Sequence, residues 1–499
     1  MKFLQLTCTC CVIIVLLLAL PVFPQTGTGD QVPQDSVQSA SADDKDKPAT
    51  RSMNVDIQAV YGQYNNMLST VNFSQEQRDF VYLLRSYLKK SNDYGYKDEV
   101  FNNTSYYENR IGFTGNVSIT EKWETLFEID VHNDSYGMGD NPVYTREEKD
   151  NVGLELKNIV KHTPSYEMSY ALGGAQYYHR LNGQLAENST DSRLYQAHAA
   201  IGGEYIWSSS SRLRYSSTVY YYDYSKTNGE LDNADNDYYM DNELVDDFNL
   251  TSNFGVTIGA MVDTNRDDVL IPNGQFGVSY KGFANATIAA KYKYDMEPFR
   301  PEKFYLQQKY IHPVFDLPPG RVHHGHLRID YRVNSTINVK MMGSVEHNKH
   351  FYNYYQQQPG DVLVAYCEET MSAGGEFTAV LHLVKNILDV EMGYTYMYYD
   401  AENNITYRPR QQYSGTIKFN GTNWKMSWHN RVLDEMYTNP ETDDTIDSSV
   451  VGDLDFQLKM LEGFFANFRV ENMYNNKYYL RENYPEPGIT LLGGVRILL

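Results

Sequence analysis

The sequence predicts an all-β protein, a single large antiparallel transmembrane β-barrel of about 20 strands, with a range of 20 to 22. Three observations predict it. Apolar and polar residues alternate along many segments, the connections alternate between short and long, and the chain ends on a half-apolar strand. A period of two puts apolar side chains on one face of a strand and polar ones on the other. Because a two-sheet sandwich alternates too, the connections and the last strand decide between the two folds.

The alternation is clearest in segments spread over the whole chain. Residues 123–131 carry one apolar face and a second face of charged residues, and residues 286–296, 327–333 and 337–346 repeat the pattern. No composition break divides these segments, so one barrel domain over residues 54–499 is predicted. The segment 55–64 leaves two interpretations open. It either pairs with one further strand to make 22, or it lies in the lumen, in which case the first strand is near residues 78–88.

The connections between these segments alternate in length. Short turns are predicted near residues 120–121, 162–164, 208–210, 251–252, 282–284, 334–335, 385–386, 420–421 and 461–463. Longer loops are predicted near residues 92–106, 137–148, 182–191, 226–237, 265–270, 297–320, 351–363, 401–408, 437–447 and 477–487. Short periplasmic turns and long extracellular loops are typical of outer-membrane barrels, whereas a sandwich has no reason for strict alternation.

The C-terminal strand has one apolar face, formed by Ile489, Leu491, Val495, Ile497 and Leu499. A soluble protein seldom ends on such an exposed edge, because the free backbone groups invite pairing with other chains. In a closed barrel the last strand pairs with the first. We therefore expect these residues to close the barrel, and we expect the barrel-assembly machinery to recognise this strand.

The N-terminus predicts export. Residues 1–25 contain a short apolar run after Lys2 and read as a signal peptide, too short to span a membrane as a helix. Residues 26–53 are polar and read as a flexible leader. Three of the four cysteines leave with the signal peptide, so Cys367 remains alone and no internal disulfide is possible.

Charge and composition exclude several classes of function. A net charge of −21 argues against a nucleic-acid partner. No later run of apolar residues approaches the roughly 20 needed for a membrane helix. The 44 tyrosines suit β-strands and the membrane–water boundary. These features predict the outer membrane of a diderm bacterium as the location, with its lipid as a partner.

Basic residues on the polar face of several strands are candidate lumen-lining residues. They are Arg212, Arg214, Lys291, Lys293, Arg328, Arg332 and Lys340. Such side chains can line an anion path. They can equally pair with lumenal carboxylates, and pairing is the interpretation we favour.

The other clusters of polar residues give weaker indications of a functional site. His324 and His326 share one strand face, but polar lumenal histidines explain them better than a metal site. The acidic residues at 232–243 and 441–444 lack the spacing of a helix–loop–helix calcium site, and solvated loop charge explains them. No catalytic constellation or nucleotide-binding loop is present, so neither an enzyme nor a cofactor is predicted.

The end of the chain resembles that of TonB-dependent outer-membrane receptors. Residues 463–478 (Gly-Phe-Phe-Ala-Asn-Phe-Arg-Val-Glu-Asn-Met-Tyr-Asn-Asn-Lys-Tyr) and then Tyr-Pro-Glu-Pro-Gly at 484–488 are similar to that family's Val-x-Asn-Leu-Phe-Asp-x-x-Tyr and Pro-x-Pro-Gly-Arg motifs. The chain departs from the family at Ile489, where the family has Arg, and at Leu499, where it usually ends in an aromatic residue. The residues before the first strand are too few for the family's plug domain. The resemblance therefore implies the barrel but not plug-dependent uptake.

These expectations combine into one prediction and two alternatives. The prediction is a receptor-like, plugless barrel that transports a solute or forms a pore, with a separate plug or surface protein as a possible partner. The first alternative is a non-conducting outer-membrane scaffold or adhesin that docks a partner protein. The second is a soluble, secreted, tyrosine-rich carbohydrate-binding protein.

Overall fold

A computed structural model of the protein describes residues 52–77, 79–96, 99–101, 103–139, 141, 143–185, 188–227, 232–265, 271–297, 309–311, 320–356, 362–482 and 484–499. The predicted signal peptide and the leader up to residue 51 lie outside these residues. Within them the chain is all-β, with one short 3-10 turn at Gln63–Asn65. None of the described residues forms a helix of the length and apolar character that a membrane crossing requires.

Twenty-two strands form one sheet. In chain order they are β1 (Ser52–Gly62), β2 (Met67–Gln77), β3 (Phe80–Ser91), β4 (Tyr106–Thr120), β5 (Trp123–Gly137), β6 (Tyr144–Thr163), β7 (Tyr166–Gly183), β8 (Thr190–Ser208), β9 (Ser211–Thr227), β10 (Asp232–Asn249), β11 (Phe254–Asn265), β12 (Ile271–Phe283), β13 (Ala286–Glu297), β14 (Gly320–Arg332), β15 (Ile337–Gln356), β16 (Leu363–Val384), β17 (Leu388–Ala401), β18 (Gln411–Asn420), β19 (Trp424–Leu433), β20 (Ser449–Leu461), β21 (Phe464–Glu471) and β22 (Thr490–Leu498). Each strand pairs antiparallel with the next.

The sheet closes on itself through β1 and β22. These strands pair antiparallel, with Asp56 opposite Leu498 and Gly62 opposite Leu492. Two further backbone hydrogen bonds, both of 2.9 Å, join Val55 and Leu499. The predicted all-β barrel is confirmed, and its strand number is 22. The predicted range included that number.

The segment 55–64 belongs to the wall. Residues 55–62 form most of β1 and pair with β2 as far as Tyr61, while residues 63–64 belong to the turn that follows, so the interpretation that placed the segment in the lumen is wrong. The partner strand β2 has a weak pattern, because serine, threonine, asparagine and glutamine occupy many positions on both of its faces. Its pairing therefore depends on the neighbouring strands rather than on its own periodicity.

The connections follow the predicted alternation. One rim carries turns of two to four residues, and the other carries almost all of the longer connections, up to residues 298–319. The predicted loop at residues 226–237 is shorter than expected, because strands continue into it from both sides: β9 extends to Thr227 and β10 begins at Asp232. Tyr222 and Tyr224 are buried on the inner face there and support the extended strand beyond the membrane.

Gly463 makes the turn between β20 and β21. Its φ of 69° lies in the left-handed region, which glycine adopts without strain. A Cβ on this residue would lie 2.3 Å from the carbonyl oxygen of Leu498. The turn therefore lets the backbone pass close to β22, and the Leu498 amide donates a 2.7 Å hydrogen bond to the Gly463 carbonyl.

The outer face of the barrel is an apolar belt with aromatic edges. Large exposed apolar side chains recur on it from strand to strand, including Leu156, Leu172, Ile201, Leu244, Ile258, Phe276, Leu327, Val345, Phe377 and Val495. Trp123, Trp207 and Trp424 lie exposed at the short-turn ends of β5, β8 and β19. Such rings suit the membrane–water interface, so the belt has the chemistry of a lipid contact.

The tyrosine runs divide between the two faces. Tyr221 and Tyr238 are exposed on the outer face, where an aromatic girdle explains them. Tyr222 and Tyr239 alternate with them and are buried on the inner face. The high tyrosine content therefore has two structural causes. Some tyrosines form an aromatic girdle on the outer face, and others pack on the inner face near the long-loop rim.

The belt gives a test of the membrane-facing side. We expect Leu172→Lys to destabilise the folded barrel by about 2–4 kcal/mol, because a lysine near the middle of the bilayer loses its hydration. Ser169→Lys on the same strand is the control, since its side chain faces the lumen and should cost less than about 1 kcal/mol. Urea unfolding in lipid vesicles measures both, and equal destabilisation would contradict the assignment of faces.

Candidate functional site

The lumenal face of the barrel is lined with ion pairs between neighbouring strands. At the closing seam Arg496 donates two hydrogen bonds, of 2.9 and 2.8 Å, to the carboxylate of Asp56. Arg469 lies 3.3 Å from Asp455 in the same manner. Partly solvated pairs of this kind each contribute about 1 kcal/mol or less, so they hold lumenal side chains in place more than they stabilise the barrel.

Two of the predicted lumen-lining residues belong to such pairs. Arg212 lies 3.3 Å from Glu204, and Arg214 lies 2.5 Å from Asp247. Asp247 also accepts a 2.6 Å hydrogen bond from the hydroxyl of Thr257. Beside them the wall forms a cavity of about 340 Å³, which Arg214 helps to line.

The other predicted lumen-lining residues lie together on β13, β14 and β15. Lys293 forms an ion pair with Asp295 on its own strand. Arg328 forms a bidentate pair with Asp330, at 2.8 and 3.1 Å. Lys291, Arg332 and Lys340 form no ion pair with any carboxylate among the described residues. The structure thus brings five of the seven residues to one part of the wall.

The terminal-strand residues lie at the seam. Leu491, Val495 and Ile497 are in β22, and Ile497 faces Ile57 of β1. Ile489 precedes the strand, where its amide donates a 2.9 Å hydrogen bond to the side chain of Asn475. Leu499 follows the strand and makes the two hydrogen bonds to Val55.

A buried ionic cluster lies at the long-loop end of β6. The carboxylate of Glu147 is fully buried and lies 3.0 Å from both Lys149 Nζ and His179 Nε2. It also accepts a 2.7 Å hydrogen bond from the backbone amide of Tyr310 and a weaker one, of 3.4 Å, from Ile311. A buried carboxylate needs such a full set of partners to remain charged. The cluster therefore fixes the 309–311 segment against β6.

The 309–311 segment, which we call the loop bridge, belongs to the connection between β13 and β14. The ring of Tyr310 stacks on Tyr484 with a centroid distance of 3.9 Å. The Leu363 amide at the start of β16 donates a 2.8 Å hydrogen bond to the Tyr310 carbonyl. Since β6 and β16 are ten strands apart in a ring of 22, the loop bridge joins nearly opposite walls.

Further contacts hold the loop bridge from its other end. Lys309 lies 3.4 Å from Glu108 on β4 and 4.3 Å above the centre of the Tyr136 ring. Enclosure of its hydroxyl raises the pKa of Tyr310 well above its ordinary value, so this ring remains neutral. The loop bridge is therefore held by charged, aromatic and backbone contacts together.

Two apolar clusters pack residues of the long connections against the loop bridge and against neighbouring strand ends. One contains Ile311, Leu363 and residues of three other loops or strand ends, namely Tyr354, Ala365, Tyr407, Met436 and Ile446. The second joins Leu181, Val362 and Tyr484 with Met138 and Tyr144. Because each cluster draws on several connections, the long loops pack against one another rather than standing apart.

Asn353 attaches another loop to this closure. Its buried side-chain amide donates to the carbonyl of Asn404 at 2.9 Å. Its side-chain oxygen accepts from the amide and the hydroxyl of Thr406, at 3.0 and 2.9 Å. Beside it the guanidinium of Arg481 lies 4.9 Å over the ring of Tyr407. The residues 402–410 are thereby fixed over the end of β15.

A cavity of about 390 Å³ lies among these outer loops. Its polar lining includes Glu402, Arg408, Arg410, Tyr437 and Glu441. Arg410 lies over the ring of Tyr437 at 5.3 Å, and Arg408 over that of Phe351 at 4.3 Å. The loops therefore present guanidinium and aromatic groups on the outer side of the closure.

The remaining candidate clusters have ordinary contacts. The rings of His324 and His326 are 5.5 Å apart, and His347 lies 2.8 Å from Glu369. Across the described part of the chain, no group of three His, Cys, Asp or Glu side chains is arranged to hold a metal ion. Cys367 is half-buried and is the free cysteine of the described residues.

The sequence did not reveal the residues that close the mouth. Glu147 lies in the run Arg-Glu-Glu-Lys-Asp at 146–150, which reads as a charged strand end. Tyr310 lies in a long connection whose conformation no periodicity fixes. Tyr484 was visible only as part of the motif before the last strand, which gives no reason to expect it at the mouth.

Comparison with known proteins places the fold. No family model matches the sequence, and no curated protein matches it. Among solved structures, the FrpB iron transporter from Neisseria meningitidis is similar with a TM-score of 0.72 at 10% identity, over 90% of this chain and 81% of that one. The copper transporter OprC has a TM-score of 0.71 at 11% identity, over 91% and 81%.

A third neighbour belongs to the same group. The siderophore receptor PirA from Acinetobacter baumannii has a TM-score of 0.69 at 10% identity, over 91% of this chain and 81% of that one. These proteins are TonB-dependent receptor barrels, and at such low identity the likeness is one of fold. With the apolar belt, it identifies the chain as an outer-membrane β-barrel, and the alternative of a soluble, secreted protein is wrong.

The buried cluster gives a test of the closure. Glu147→Gln removes the charge that Lys149 and Tyr310 contact, and breaking a buried pair costs about 3–5 kcal/mol. We expect the loop bridge to detach and trypsin to cleave after Lys309 several-fold faster in intact proteoliposomes. Glu155→Gln is the matched control on the same strand, because Glu155 makes only a 3.8 Å contact with His198. Unchanged cleavage in Glu147→Gln would contradict the role of the cluster.

Proposed function

We propose that the protein moves a solute through its lumen and closes its outer mouth with its own loops. The observation that carries this proposal is the loop bridge, which links Glu147 on β6 with Leu363 on β16. A barrel of 22 strands is too wide for wall side chains to fill, and barrels of this size need an obstruction to remain tight. Among the described residues, the obstruction at the mouth comes from the loops.

The contacts of the loop bridge set the energy of opening. A hydrogen bond to a charged group contributes about 1.5–3 kcal/mol, and an aromatic pair adds about 0.5–1.5 kcal/mol. Releasing Tyr310 from Glu147 and Tyr484 therefore costs a few kcal/mol, which leaves the open state near 1% or below. A solute that binds the open state better by a similar free energy shifts the equilibrium to opening.

The receptor fold supports the same proposal. The similar structures are named as iron and copper transporters and siderophore receptors, and passage of a solute is the function that those names share. Nothing in those names fixes the solute of this chain. If the protein is instead a non-conducting scaffold, a barrel whose loop bridge has been released should show no conductance.

Conductance in planar bilayers tests the proposal. We expect the wild type to show rare channel openings and the double variant Glu147→Gln, Tyr310→Ala to show frequent ones, because both anchors of the loop bridge are weakened. Glu155→Gln, Tyr195→Ala is the matched control, since Glu155 lies 3.8 Å from His198 and Tyr195 is exposed on the outer face, both away from the loop bridge. A double variant that folds but never conducts would favour the scaffold function.

A cross-link tests closure in the opposite direction. Ile311 and Leu363 form an isolated parallel bridge in the closed mouth. In a Cys367→Ser background, Ile311→Cys with Leu363→Cys should lower the opening frequency at least tenfold under oxidising conditions, and reductant should restore it. The single variant Ile311→Cys controls for the substitution itself. Undiminished openings in the cross-linked protein would show that the loop bridge does not gate the lumen.

A further inference from the structure

Many lumenal cations in the described part of the barrel are matched by a carboxylate on a neighbouring strand. The pairs recur around the wall and include Asp56 with Arg496, Glu124 with Lys161, Glu204 with Arg212, Asp247 with Arg214, Glu391 with Lys418 and Asp455 with Arg469. Pairing of this kind is expected in a chain with a net charge of −21, where acids are in excess. A part of the wall that lacks it therefore stands out.

Three adjacent strands carry such an unmatched part. We call it the basic strip, formed by Lys291 on β13, by His326, Arg328 and Arg332 on β14, and by Lys340 on β15. Its four permanent cations face one lumenal carboxylate within the strip, that of Asp330. Arg328 already holds this carboxylate with two hydrogen bonds. No ion pair joins Lys291, Arg332 or Lys340 to a carboxylate of the described chain.

The strand register shows that the members of the basic strip are neighbours. Lys291 lies directly opposite His326, and Lys340 lies directly opposite Asp330. The charged groups that act on His326 are His324, Lys291 and Arg328, all of them basic. Neighbouring strands lie about 4.8 Å apart and residues rise about 3.4 Å along a strand, so the basic strip spans about 10 Å across the sheet and roughly 20 Å along β14. Both distances lie within the Debye length of about 30 Å at low ionic strength, so the potentials of its members add under that condition.

The basic strip also faces solvent. Arg328, Arg332 and Lys340 are exposed on the lumenal side of the wall. Arg332 ends β14 beside the short turn of residues 333–336, at the opposite rim from the loop bridge. A solute that has passed the mouth would therefore meet these side chains before it leaves the barrel, and their charges need no rearrangement to receive it.

We propose that the basic strip binds a multivalent anion, bearing two or more phosphate or carboxylate groups, during its passage through the barrel. This inference rests on the proposed function, because it takes the lumen as a solute path. Two guanidinium groups and two ammonium groups on a fixed sheet match the spaced oxygens of such an anion. A single chloride or a neutral sugar would leave most of these charges unmatched.

Calorimetry on the full-length protein in detergent at low ionic strength tests the inference. The probes are inorganic pyrophosphate and citrate, each titrated into the wild type and into Arg332→Gln, Lys340→Gln. We expect saturable binding to the wild type and an affinity lower by about tenfold or more in the double variant, because charge-assisted contacts are lost. Binding of pyrophosphate alone would narrow the class to phosphate, and binding of citrate alone to carboxylate.

A neutral double variant is the control. Glu204→Gln, Arg212→Gln removes one acid and one base from another part of the lumen and leaves the net charge unchanged. It should bind as the wild type does. Wild-type protein that binds neither probe at millimolar concentration would overturn the inference, and so would a basic-strip variant that keeps full affinity. Heat-modifiable migration on gels confirms that each variant is a folded barrel.

Ion selectivity separates this inference from the proposed function. In the variant Glu147→Gln, Tyr310→Ala, a salt gradient should give an anion-selective reversal potential. Adding Arg332→Gln, Lys340→Gln should move that potential toward cation selectivity. Probe binding without any conductance would refute solute passage while leaving the anion site in place. If both variants conduct with the same ion selectivity, the anion site is refuted while solute passage is not.

Discussion

Backbone hydrogen bonding in lipid is the constraint on which the structure depends. A peptide group in the hydrocarbon core has no water to bind, so an unpaired strand edge there costs several kcal/mol per group. The only sheet that avoids this cost is closed. The pairing of β1 with β22, strengthened at the seam by Arg496 and Asp56, meets that requirement. The period of two, the short turns and the apolar belt all follow from keeping this ring intact.

Closure of the ring creates a second problem, the width of its lumen. A ring of 22 strands encloses more space than wall side chains can fill. At the long-loop end of the barrel, Glu147 is fully buried and contacts Lys149, His179 and the backbone of the loop bridge. A buried carboxylate is weak evidence for stability but good evidence for a fixed geometry. A few specific contacts thus hold the loop bridge against the wall, and the proposed opening would require their release.

Electrostatics along the lumen distinguish the parts of the wall. Paired charges such as Arg214 and Asp247 nearly cancel at a distance, and water and salt screen what remains. Lys291, Arg332 and Lys340 have no such partner among the residues that the structure describes, so their field extends into the lumen. Because acidic residues are in excess in this protein, a group of unpaired basic residues in the lumen is unusual. On a solute path, such residues can bind an anion.

The sequence by itself determined the all-β class, the single barrel, the alternation of short turns with longer loops and the apolar face of residues such as Leu491 and Val495. These features follow from local periodicity, which one strand displays alone. Tertiary structure decided the rest. β2 is a strand because its neighbours need a partner, and Glu147 meets Tyr310 only because the ring brings β6 opposite β16. The contrast between paired Arg212 and unpaired Lys340 depends on register, which sets each residue's cross-strand partners and which no single segment encodes.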